Sequence, residues 1–428
     1  MAQQIRVRAS YPGLIRHQVG EIDASGFHLT AGPANSLSMS GGSLGLSRLV
    51  AENGSIEIVS SEPGHEPFPI NIHKLVLTGA GGSHPKFQIA AAGMRPPGEF
   101  QAEGDIDRSR SNSLKMAGVS GRFHFNKVDL GVFGGISGTL DASGRIGGTI
   151  QQLRWDGRAV APDFQVSGSA HRVRLESAYN VLLRTSDATA DLQHIQVSFN
   201  RTVLSAQGRV SKEPSHAGKT LQLGVKVDRG RIDDLLLLFS GRPRPGMTGS
   251  VRIDANVVLP PAPPKFLSRL KLDGSFEIRN ALFTNPATQS PLNYLSESAD
   301  GEKKPEERED GRQIPGVIHG AVHDSAGIAR LSGIRYFAAG VNATVGGEFN
   351  IVSKAVDLRG VLATTGKLSD GTTGFKSILL HVARPFLAIH SKGKITTVAF
   401  TIQGAASHPV LSLSASKPGH NAVHLAHH

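Results

Sequence analysis

The amino-acid sequence predicts an all-β protein: an elongated, twisted antiparallel sheet curled into a groove or trough, with a few short helices. Three observations carry this reading. Apolar residues recur at every second position in one segment after another. Glycine (50 residues) and proline (23) supply frequent turns, and helical periodicity is confined to three short stretches. Hydrophobic residues make up 39% and aromatics only 5%, which suits many short strands with one dry and one wet face better than one deep, aromatic-packed core.

The period-two signal is explicit. In VRIDANVVL, Val251, Ile253, Ala255, Val257 and Leu259 alternate with Arg252, Asp254 and Asn256. In LKLDGSFEI, Leu270, Leu272, Phe276 and Ile278 alternate with Lys271, Asp273 and Glu277. Leu221, Leu223, Val225 and Val227 repeat the pattern, as do Ile195, Val197 and Phe199, and Val398, Phe400 and Ile402. Successive side chains of a strand point to opposite faces, so alternation means one buried face. Strands of a parallel sheet, buried on both sides, read instead as continuous apolar runs. Gly-rich turns such as Ala80-Gly81-Gly82-Ser83, Ala142-Ser143-Gly144 and Gly346-Gly347 fall between the runs, and short gaps favour antiparallel meanders.

Residues 1–300 read as an extended β region with helices near 231–241 and 290–300. The first helix has acidic residues Asp233 and Asp234 in its opening turn, where they complement the helix dipole. Residues 301–313 carry both charge signs and little that is apolar, and read as a disordered loop. Residues 314–414 form a C-terminal β region with a helix near 374–387, and 415–428 a loose tail. None of the helices is long enough to cover a sheet of this size. The dry face must therefore be covered by the sheet itself, as a sandwich or barrel, or remain an open trough. Alternation is compatible with both.

Several chemistries are excluded. There is no cysteine, so disulfides, zinc–thiolate sites and thiol catalysis are absent. Gly41-Gly42-Ser43-Leu44-Gly45 spells G-x-S-x-G, but the preceding SLSM is short for the buried strand a nucleophile elbow requires, and Gly-Ser repetition is expected in so Gly-rich a chain. Before Gly218-Lys219-Thr220, the first glycine of a phosphate loop is replaced by Glu213. His420, His424, His427 and His428 crowd the tail without a metal-binding framework. No catalytic residue, cofactor or metal is expected. The net charge of +11 favours anionic partners. Nucleic acid is not expected among them, because Phe123 and Phe125 read as inward strand residues rather than a stacking platform. No stretch approaches the ~20 apolar residues of a membrane helix, so no anchor is expected in this chain.

Longer motifs carry a resemblance. The stretch around Pro96-Pro97-Gly98-Glu99-Phe100 is followed by Val119 to Gly148. There Gly121, Phe123, Phe125, Asp129, Leu130, Phe133, Gly135, Ile136, Gly138, Leu140 and Gly144 fill a spaced Gly/Phe/Asp-Leu pattern. Then come GRIDDLLLLF, PGMTGSVRI, LKLDGSFEIRNALFTN and SPLNYLSESADG, in that order. Together these resemble the AsmA-like family, over about Pro12 to Leu413. The resemblance implies a non-catalytic, elongated periplasmic β structure, associated with the inner membrane in relatives and supporting outer-membrane assembly. It also implies a likeness to TamB-like and bridge-like carriers that conduct phospholipid along an apolar groove. The implied partners are acyl chains of phospholipid or lipopolysaccharide, membranes and envelope assembly proteins. Candidate lipid-facing positions are Phe123, Phe125, Val251, Ile253, Val257, Leu270, Leu272, Phe276 and Ile278. The alternative is a β-sandwich structural or protein-interaction module with no lipid path.

Overall fold

The computed structural model describes residues 2–8, 18–31, 45–58, 68–92, 96–109, 113–212, 218–261, 266–286, 289–290, 292–293, 313–364, 390–392, 395–405 and 410–414. Strands make up 73% of these and helices 8%, so helices cannot cover the sheet faces. In chain order the strands are β1 (Ala2–Arg8), β2 (Gln18–Ala31), β3 (Gly45–Ile58), β4 (Phe68–Thr78), β5 (Lys86–Ala92), β6 (Glu99–Asp107), β7 (Gly118–Asp129) and β8 (Ile136–Ser137). Then follow β9 (Thr139–Thr149), β10 (Gln152–Val166), β11 (Val173–Arg184), β12 (Thr189–Phe199), β13 (Thr202–Lys212), β14 (Lys219–Arg231), β15 (Met247–Leu259) and β16 (Lys271–Phe283). The last are β17 (Gly316–Ser325), β18 (Ile328–Ala338), β19 (Val341–Asn350), β20 (Ala355–Thr364), β21 (His390–Lys392), β22 (Ile395–Ala405) and β23 (Val410–Ser414). Helix α1 spans Ile232–Phe239 and α2 Phe266–Arg269.

The chain divides into two units. The first holds residues 1–227, 237–243 and 256–269; the second holds 228–236, 244–255 and 270–428. In the first unit each strand from β1 to β7 pairs with the next, then β7 with β9, and the ladder continues through β10, β11, β12 and β13. In the second, β16 to β20 pair in succession, then β20 with β22 and β22 with β23. Among the described residues the sheet is not closed into a barrel.

The expectation of a wholly antiparallel sheet needs one correction. Strands β2 and β3 run parallel, from Gln18 opposite Gly45 to Ala31 opposite Ile58. Parallel neighbours cannot be joined by a tight hairpin. The connection over 32–44 has the length a crossover needs, whereas the β17–β18 hairpin turns on Ala326 and Gly327 alone, both at positive φ. The helix expected over 231–241 is α1, and Asp233 and Asp234 sit in its first turn. Both are buried, at 5% and 2% exposure, and Asp233 takes the Arg231 guanidinium at 3.0 Å. Residues 289, 290, 292 and 293 are helical. The rest of the helix expected near 290–300, most of the charged loop 301–313, the helix expected near 374–387 and the tail 415–428 lie outside the described residues.

Glycines let neighbouring strands approach on the dry side. Gly104 stands opposite Gly121, and Gly144 opposite Gly157. A Cβ on Gly144 would fall on the Asp156 carbonyl oxygen and 2.6 Å from the Gly157 Cα. Real Cβ atoms do not approach backbone that closely, so any larger residue must push the strands apart. Gly144→Val is expected to destabilise the first unit by about 1–3 kcal/mol, the usual cost of overpacking. A urea midpoint shifted to lower concentration would show it; an unchanged midpoint would contradict the close approach.

Candidate apolar inner face

Register converts the alternation of single strands into continuous rows across the sheet. In the first unit one row runs Val7, Ile22, Leu49, Leu77, Phe87, Gly104, Gly121, Ile146, Trp155, Val181, Leu192, Gly208 from β1 to β13. The next row on the same face reads Ile5, Ala24, Ala51, Leu75, Ile89, Ala102, Phe123, Gly144, Gly157, Tyr179, Ile195, Ala206. Neither contains a charged residue. The opposite face reads Arg6, Asp23, Val50, Val76, Gln88, Glu103, Arg122, Arg145, Asp156, Asn180 over β1 to β11. A slip of one residue in any pair would interchange the faces, so burial of one face sets register throughout.

Ring geometry shows that this sheet bends around its apolar side. Strands lie about 4.8 Å apart, so Phe100 on β6 and Trp155 on β10, three sheet positions apart, would be roughly 14 Å apart in a flat sheet. Their ring centroids are 6.3 Å apart. Phe123 and Trp155 meet edge to face at 4.7 Å, and Phe100 and Phe125 at 4.6 Å. Phe87, Ala102, Phe123 and Ile146 form the buried centre, with Leu77, Ile89, Tyr179 and others packed against it, all from β4 to β11. Phe123 is 1% exposed, and burial of such a side chain contributes about 1.5–3 kcal/mol. Towards the β1 edge the face opens: Ile5 and Val7 are 62% and 59% exposed.

The second unit repeats the arrangement. One row reads Ile278, Ile318, Tyr336, Ala343, Leu362, and the residues Ile334, Val345, Gly360 and Phe400 form another. A third reads Leu272, Asp324, Ala329, Phe349, Val356. Asp324 is thus an acid on the apolar side. It is 2% exposed, and neither carboxylate oxygen has a hydrogen-bond partner. Burial pushes its carboxyl above the usual carboxylate range, with His323 opposing weakly. Burial likewise pushes the Tyr179 and Tyr336 phenols up to about 12, and the Tyr336 hydroxyl and Trp155 indole N–H have no partner.

Of the positions singled out in the sequence, Phe123, Val251 and Ile278 are buried, while Phe125, Ile253, Val257, Leu270, Leu272 and Phe276 are half-buried. Three of the nine are thus covered and six keep part of their surface accessible. Sequence reasoning missed Trp155 and Tyr179, flanked as they are by charged and polar residues in Arg154-Trp155-Asp156 and Ala178-Tyr179-Asn180; the period-two position of each was the available signal. It also missed Asp324, where period two places an acid on the apolar side. Ser43, residues 213–217 and the histidine-rich tail lie outside the described residues. Among the described residues no group of three or more His, Asp or Glu could hold a metal ion, and no helix is long and apolar enough to cross a membrane. Comparison with protein-family models, with curated proteins and with solved structures finds no match.

The buried acid makes a prediction. The native chain holds the Asp324 proton at pH values where the unfolded chain has released it. Stability contributed by this group is therefore fully present below the unfolded pKa near 3.8. It falls as pH rises from there through the raised native pKa, then stays level. Asp324→Asn cannot ionise, so its melting midpoint should exceed that of the unsubstituted chain at pH 7. The difference should shrink as the pH approaches 3.5, roughly the unperturbed Asp range. A difference independent of pH would mean that Asp324 ionises normally.

Proposed function

We propose that this chain is a non-catalytic envelope protein of the AsmA-like kind, which shields or conducts phospholipid along its apolar inner face between the inner and outer membranes. The observation that supports it most is the pair of uninterrupted apolar rows crossing β1 to β13. A continuous dry path suits an acyl chain, whose exposure to water costs about 0.8 kcal/mol per CH₂, or roughly 10 kcal/mol for a whole chain. Half-buried Leu75, Leu77 and Ile89 along the rows leave apolar surface for contact. The ligands on this reading are acyl chains of phospholipid or lipopolysaccharide. Its site of action is the periplasm, beside membranes and envelope assembly proteins.

A second reading has its own support. The Phe100, Phe123, Phe125 and Trp155 cluster fills the concave side in the middle of the first unit. This suits a structural or protein-interaction module with no lipid path. Native mass spectrometry of the purified chain separates the two. The lipid reading expects stoichiometric phospholipid, lost in Leu77→Asp and Phe276→Asp while circular dichroism stays that of a folded β protein. A folded chain that carries no lipid and acquires none from vesicles would leave the interaction module standing.

A further inference from the structure

The first unit also carries a concavity of about 810 Å³ among its polar-face side chains, and Phe87, Gly104, Gly121 and Ile146 of the first apolar row also contribute to its wall. Four cationic side chains line it, Arg48, Lys86, Arg122 and Arg145, against two carboxylates, Glu103 and Asp105. They come from β3, β5, β7, β9 and β6, so pairing across the sheet gathers charges that lie far apart in sequence. Ser120 and Gln88 add neutral hydrogen-bonding groups to the wall.

The charges are arranged against stability. Arg122 and Arg145 stand directly opposite each other on β7 and β9, and like charges in that position repel. Relief on each side is partial. Arg122 donates to Glu103 at 2.9 Å, and Arg48 lies 3.3 Å from Glu21, which Arg8 also approaches at 3.5 Å. Arg145 has Asp156 as its other cross-strand neighbour, but Asp156 accepts from the Asn180 amide. Lys86 stands opposite Asp105 in register, yet among the described residues neither Lys86 nor Arg145 enters an ion pair or side-chain hydrogen bond. Two uncompensated cations thus share one open concavity with two guanidiniums whose planar forks match oxyanions.

We propose that this concavity binds a ligand bearing phosphate groups, with Lys86 and Arg145 as its main contacts and Arg122 and Arg48 as supports. A multiply charged oxyanion would turn the Arg122–Arg145 repulsion into shared attraction. The proposed contacts are polar-face side chains, so the proposal stands whether or not the apolar face carries lipid.

Isothermal titration calorimetry of the full chain with inorganic pyrophosphate, at ionic strength held constant with chloride, tests it. One saturable site per chain is expected, weakened about tenfold in Lys86→Gln and in Arg145→Gln, the loss of one charge-assisted hydrogen bond in each. Arg330→Gln, which removes an exposed arginine paired with Glu348 in the other unit, should bind as the unsubstituted chain does. Arg145→Gln should melt no lower than the unsubstituted chain, because it relieves repulsion; a merely structural arginine would lower the midpoint. Two further arms identify the source of the phosphate, and either positive result supports the site. Sedimentation with phosphatidylcholine vesicles containing phosphatidylglycerol, reversed by pyrophosphate, points to a lipid headgroup. Binding of glycerol 1-phosphate without vesicle binding points to a soluble phosphate ester. No saturation by ~10 mM pyrophosphate, a very weak limit, or an equal loss in Arg330→Gln, overturns the proposal.

Discussion

The fold depends on one constraint: among the described residues, a sheet with one apolar face has no other layer of the chain to cover it. Helices α1 and α2 span only Ile232–Phe239 and Phe266–Arg269. The sheet must bend and fill the resulting concavity with its own side chains. Large residues need room to lean inwards, and glycines supply it. The Phe27 ring lies over Gly54, Tyr179 over Gly157, Tyr336 over Gly316, Phe276 over Gly320 and Phe400 over Gly360. Each of these five aromatics is matched to a glycine on the neighbouring strand, whose backbone would otherwise stay exposed on the apolar side.

The polar face plays a different part. Its ion pairs, such as Lys74–Glu52 at 2.9 Å and Arg330–Glu348 at 2.9 Å, are exposed, and such pairs contribute about 0–1 kcal/mol each. Stability therefore resides in the apolar rows, and residues on the wet side can change without threatening the fold. That freedom is why repelling cations such as Arg122 and Arg145 can face each other there. A comparable mismatch on the dry side is costly, as Asp324 illustrates: its carboxyl is buried without a partner, and the environment answers by favouring the protonated form.

The dry face is not uniform. Its middle, around Phe123, is as buried as a globular core, while Ile5 and Val7 at the β1 edge are more than half exposed. Facing glycines let strands approach closely in the middle of the first unit, and the face opens towards β1. A filled stretch and an open stretch thus arise from the same rows of residues, and the local density of aromatics decides between them.

Much was determined by the sequence alone. Alternation in segments such as Val251 to Leu259 requires strands with one buried face, because side-chain direction alternates with each residue whatever the strand pairs with. The acidic first turn before Leu235 to Phe239 marked α1 for equally local reasons. Tertiary structure decided what depends on partners across the sheet. The parallel pairing of β2 and β3 leaves no mark in the alternation of either strand. The meeting of Phe100 with Trp155 needs curvature that no single strand encodes. The gathering of Lys86, Arg122 and Arg145 around one concavity depends on register, which sets Arg122 opposite Arg145 and brings Lys86 to the same wall from β5, although the intervening chain gives no sign of it.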